Sequence, residues 1–148
     1  MDAQRPKLWF IATLVGLVAA FNSILVSQFD TYDYVEEHVL TAMLAFGGGV
    51  LWSLLSTVAL GSKATVAGHR LRNVGFAMAA IGFVVMLAAF QPVANSFDAT
   101  GMSTTEFLNE AQEGVVVAAP AEYVLVAGLL LCLSSFRHEL RSANGPEN

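Results

Sequence analysis

Residues 29–40, FDTYDYVEEHVL, place four carboxylates, two tyrosines and a histidine between stretches that are almost wholly apolar. Asp33, Glu37 and His38, with Glu122 further along the chain, could offer oxygen and nitrogen donors to a metal ion. A catalytic zinc site usually takes two or three His or Cys ligands. Here His38 is the one histidine near the acids, so the set suits a loosely held hard cation better than a transition metal. A second reading needs no ligand. Asp33 and Glu36 are spaced as a capping box with Asp in the capping position. Glu36 and Glu37 would lie in a first helical turn, where the helix dipole favours anions. Tyr32 and Tyr34 suit headgroup depth in a bilayer. No catalytic motif is present and no cofactor is expected. The single cysteine, Cys132, excludes an intramolecular disulfide and a dithiol redox pair.

The elements that must position these residues follow from the distribution of charge. Hydrophobic residues make up 55% of the chain and charged residues 13%, against about 25% charged in an ordinary soluble domain. Uncharged runs cover residues 8–29, 39–62 and 73–97, and a fourth ends before Arg137. A helix crosses a bilayer in about 18 to 25 residues, and the runs lack the alternation of barrel strands. The expected fold is all-α: an integral membrane four-helix bundle of two helical hairpins, forming one domain over residues 1–148. Its helices are expected over about 8–29, 34–61, 73–92 and 118–138. The capping box STTE (residues 103–106) opens a short amphipathic surface helix over about 103–113. Cleavage of the first run as a signal peptide, after Ala19 or Ala20, is the lesser alternative. A cleavable apolar region is shorter, typically about 7 to 15 residues.

Orientation is legible from the basic residues. Arg5 and Lys7 precede the first helix, Lys63, Arg70 and Arg72 lie between the second and third, and Arg137 and Arg141 follow the fourth. The other two connections contain no Lys or Arg. The positive-inside rule then places both termini in the cytoplasm, with the chain in the plasma membrane. Nine of the twelve acids fall on the opposite side, which is expected to be a solvated acidic rim.

Within the expected spans, Ala12, Gly16 and Ala20 recur at every fourth position, as do Ala45, Gly49 and Ser53. Small residues at that spacing let helix backbones approach closely, so these six are expected at packing seams. Asn22 and Gln91 are the deepest strongly polar side chains of the first and third helices. They stand in the similar strings VAAFN and LAAFQ, which hint at duplicated hairpins and would let the two amides bond across helices. No charged residue falls near the middle of the first three helices, whereas proton relays and ion-coupled carriers normally need one. Gly114 and Pro120 both punctuate the approach to the last helix. A start at Pro120 would put Glu122 in the first turn, at the interface. A start near Val115 would set it about 10 Å deeper.

The reading that results is a non-enzymatic accessory or scaffold subunit of a membrane assembly. One alternative is a small transporter or channel with an acidic outer vestibule. Another is a membrane enzyme or metal-dependent protein using the outer carboxylates and His38. The expected partners are the lipid bilayer and a second copy or another membrane protein, with no nucleic acid.

Overall fold

The computed structural model describes residues 3–29, 33–96, 98 and 101–143. The order of elements is α1 (Pro6–Val26), α2 (Val35–Leu60), a single 3-10 turn (Gly61–Lys63), α3 (Val66–Ala94), α4 (Thr104–Glu110) and α5 (Gln112–Ala143). Four of these helices, α1, α2, α3 and α5, are long and apolar enough to cross a membrane. They form two antiparallel hairpins, α1 with α2 and α3 with α5, and α2 joins the pairs by packing against α3 and α5. Both hairpins open toward the same end. The basic residues therefore gather at one end of the bundle, and α4 with the α1–α2 connection forms the acidic end.

The interior is built from small residues and the exterior from large ones. Ala12, Ala45, Ala79, Ser53, Ser56 and Ser135 are buried, while Phe10, Leu17, Ile81, Val84 and Leu130 stand exposed. This inverts the soluble pattern. Lipid is as apolar as leucine, so backbone proximity rather than burial of large chains holds such helices together.

The seam of the second hairpin is the clearest case. Along α5 the buried positions are Ala118, Ala121, Leu125, Gly128, Cys132, Ser135 and Glu139, with steps alternating between three and four. Along α3 they are Gly68, Arg72, Gly75, Ala79 and Gly82, with the same alternation. A seven-residue repeat keeps one face toward its partner and belongs to left-handed helix pairs. Glycine is required at the closest points. A Cβ on Gly75 would lie 2.6 Å from the Gly128 carbonyl oxygen, and one on Gly82 would lie 2.6 Å from that of Ala121.

The first hairpin corrects one expected packing position. Ala12 and Ala19 are buried, but Ala20 is exposed. Gly48 packs on Ala19, and Gly16 packs on the Trp52 ring. A strict four-residue stripe drifts by about 40° per step around a helix of 3.6 residues per turn. By its third member it has left the partner, and the contact passes to residue 19. Ala45, Gly49 and Ser53 are buried.

Three helix starts also differ from the sequence reading. Helix α2 begins at Val35, with Tyr34 rather than Asp33 in the capping position. Helix α3 begins at Val66, seven residues before the expected start at residue 73. Thr65 caps it, its hydroxyl accepting from the Gly68 amide at 3.1 Å. Helix α5 begins at Gln112, before Pro120, which sits inside it. The capping box of α4 forms as read: the Ser103 amide and hydroxyl both donate to Glu106 Oε2 at 2.8 Å. Those two bonds, the amide first, hold the Glu106 carboxyl below the usual glutamate range.

Candidate functional site

The residues first considered for a metal do not converge. Asp33 and Glu37 are exposed at the acidic end, and Glu122 is exposed on α5. His38 Nδ1 lies 2.7 Å from the Phe29 carbonyl oxygen. A carbonyl only accepts, so Nδ1 carries the proton, and the ring ties the end of the α1 hairpin arm to α2. Among the described residues no group of three His, Cys, Asp or Glu side chains is placed to hold a metal. Asp30 and Tyr32 lie outside the described residues.

The acidic end does contain a cavity, of about 620 Å³, between α2 and α4. Its walls are mainly Val39, Leu40, Met43, Met102 and Phe107, with Glu36 the one carboxylate in the lining. It is therefore an apolar recess rather than a vestibule of convergent acids. The polar pair expected across helices does not form either. Asn22 is 7% exposed, but its Nδ2 donates to the Val18 carbonyl of its own helix at 2.9 Å. Gln91 is exposed at the far end of α3.

The chemistry instead collects at the basic end, inside the α3–α5 seam. Arg72 is fully buried and Glu139 is 6% exposed. Arg72 Nη2 donates to Glu139 Oε1 at 2.8 Å in a buried ion pair. The second carboxylate oxygen, Oε2, accepts from the Thr65 amide at 2.8 Å, so Glu139 also anchors the residue that caps α3. Arg72 Nη1 donates to Ser135 Oγ at 3.1 Å, and Ser135 Oγ donates to the Cys132 carbonyl at 2.6 Å. The Cys132 thiol contacts the Arg72 carbonyl at 3.5 Å. Arg72 Nε and Ser56 Oγ are buried without a hydrogen-bond partner among the described residues.

Aromatic rings cover this network. The Arg72 guanidinium carbon lies 5.1 Å from the centre of the Phe136 ring, a cation–π distance. Phe136 also meets Trp9 and Trp52, each with ring centres 5.8 Å apart. A charge in a membrane interior is costly unless it is paired and turned toward the bundle. Arg72 meets both conditions. The arrangement binds α3 to α5, and its hydroxyl and thiol, on Ser135 and Cys132, are fully buried.

Neither Arg72 nor Glu139 stands out in the sequence, because Arg72 reads with the basic connection between the second and third helices and Glu139 with the segment after the fourth. The missed signal was periodic. Arg72 continues the series Gly82, Ala79, Gly75, and Glu139 continues Gly128, Cys132, Ser135. Two opposite charges in register with two facing small-residue repeats point to each other.

Residues 1–143 match the family described as the Frag1/DRAM/Sfk1/Cwh43P N-terminal domain, and the chain belongs to that family of integral membrane proteins. No curated protein and no solved structure matches the chain.

Proposed function

We propose that this member of the Frag1/DRAM/Sfk1/Cwh43P N-terminal domain family is a non-enzymatic accessory or scaffold subunit of a membrane assembly. In this reading it sits in the plasma membrane with both termini cytoplasmic, and its partner is a second copy or another membrane protein. The orientation rests on the collection of all seven basic residues at one end.

The observation that carries the subunit reading is Glu122. The hydrocarbon core takes about 20 helical residues. Counted along α5 from Arg137 at the basic surface, those 20 end near Val117, about 8 Å beyond Glu122 at 1.5 Å per residue. Glu122 is thus a carboxylate inside the span. It is exposed on the outer surface of the bundle, beside a Tyr123 that is 78% exposed. It makes no ion pair or side-chain hydrogen bond among the described residues. A carboxylate facing lipid at that depth is expensive, whereas one facing a donor on a neighbouring protein is not. The charged groups deeper in the bundle are engaged with each other, which supports a structural rather than catalytic use of them.

The test is copurification from native membrane in mild detergent, comparing the natural chain with Glu122→Gln. A stoichiometric partner, or a dimer of the chain, that is held by the natural protein and lost from a folded Glu122→Gln variant is the expected result. A natural chain that runs as a bare monomer would sink the reading.

A further inference from the structure

A lateral groove runs between α1 and α5, with α2 as its floor. Its volume is about 690 Å³, and its walls include Trp9, Gly16, Ala20, Gly49, Leu129 and Phe136. On α1 the lining extends from Trp9 to Ile24, a length of about 22 Å at 1.5 Å per residue. Its lining mixes small residues with leucines and aromatic rings, and it is apolar for nearly its whole length. At the basic end it is closed by the contact of Trp9 with Phe136.

Two cations flank that closed end. Arg5 lies four residues before Trp9, and Arg137 lies four residues after Leu133, another lining residue. Arg137 shares the α5 face of Leu133, and Arg5 caps the start of α1, its carbonyl accepting from the Trp9 amide at 2.9 Å, so both arginines stand at the basic end of the groove. Both are exposed, and neither has an ion pair among the described residues. The carboxylate nearest to Arg137 in sequence, Glu139, is already occupied by Arg72 and the Thr65 amide. Among the described residues, then, the two arginines at this end of the groove have no carboxylate partner.

We infer that the groove holds one anionic glycerophospholipid, its acyl chain along α1, α2 and α5 and its phosphate between Arg5 and Arg137. An apolar channel somewhat longer than one leaflet fits a single extended chain. A planar guanidinium on each side fits phosphate oxygens. Trp9 stands at the depth where indole rings favour the interface. The inference needs only that the four helices span a bilayer, and it stands or falls apart from the subunit reading.

The chain's two tryptophans, Trp9 and Trp52, both line the groove, so intrinsic fluorescence reports on its occupant. The purified full chain is titrated in mixed micelles with phosphatidylglycerol or phosphatidylcholine carrying brominated acyl chains, which quench indole on contact. The expected result is half-maximal quenching at a several-fold lower fraction of phosphatidylglycerol than of phosphatidylcholine. The double variant Arg5→Gln/Arg137→Gln, checked for fold by circular dichroism, should bring the two lipids to the same curve. Ala20→Leu, which fills the groove without touching the arginines, should weaken quenching by both lipids. Equal quenching of the natural chain by both lipids would overturn the proposal, and so would a preference that survives the double variant. Absence of quenching by either lipid would also overturn it and assign the groove to a second copy or a partner helix.

Discussion

Arg72 and Glu139 show how a full charge can be carried inside a helix seam at the basic end of the bundle. Arg72 lies about 9 Å beyond the first residue of α3, counted at 1.5 Å per residue, and is shielded on every side by protein. Its charge is met by Glu139, its second amino group by Ser135, and its face by Phe136. Removing one member of such a pair leaves the other buried and uncompensated, at a cost of about 3 to 5 kcal/mol. Replacing both by apolar residues of similar volume removes that penalty. Thus Glu139→Gln should destabilise the bundle strongly in detergent, by chemical or thermal unfolding. Arg72→Met/Glu139→Leu should recover most of the loss. A single variant no less stable than the double one would show that the pair is not what closes the basic end. The Thr65 amide is a separate debt of Glu139, so recovery in the double variant should be incomplete.

Among the elements, the α3–α5 pair depends on glycine more strictly than the packing of α2 on α5. A Cβ on Gly128 would lie 2.5 Å from both the Ala79 nitrogen and the Gly75 carbonyl oxygen, so the backbones themselves would have to part. A Cβ on Gly49 would meet first the Leu129 Cδ1 at 2.7 Å, the tip of a side chain that can turn aside. Gly128→Ala should therefore cost about 1 to 3 kcal/mol, the usual range for overpacking, while Gly49→Ala should be mild. Equal shifts in unfolding temperature for the two variants would contradict the seam. The existence of four spans, their hairpin pairing and the α4 capping box were legible in the sequence, because long uncharged runs and capping chemistry are local signals. The starts of α3 and α5 were not. Reading a boundary from the last charge fails at Arg72, since a charge neutralised by a distant partner does not end a span. Reading one from punctuation fails at Gly114 and Pro120. Gly114 is a close-packing position against Ala89 and Phe90, and a proline within a membrane helix is tolerated when neighbours satisfy the freed groups.

At the scale of the whole molecule, the one-sided distribution of base and acid makes a statement about orientation. In a Cys132→Ser background, single cysteines at Ser62 and Ser103 would lie at opposite ends, and both positions are exposed. An impermeant maleimide added to intact cells should label position 103 and spare position 62, and the opposite pattern would reverse the topology. The same architecture sets an order of events during synthesis. Arg72 and Glu139 are 67 residues apart in the chain. At about 5 to 20 residues per second, a ribosome needs about 3 to 13 s to travel from one to the other. Through that interval α3 exists with its guanidinium unmatched, and nothing in α1 or α2 supplies the missing carboxylate. The basic end of the α3–α5 seam can therefore close only once translation has reached the last turns of α5.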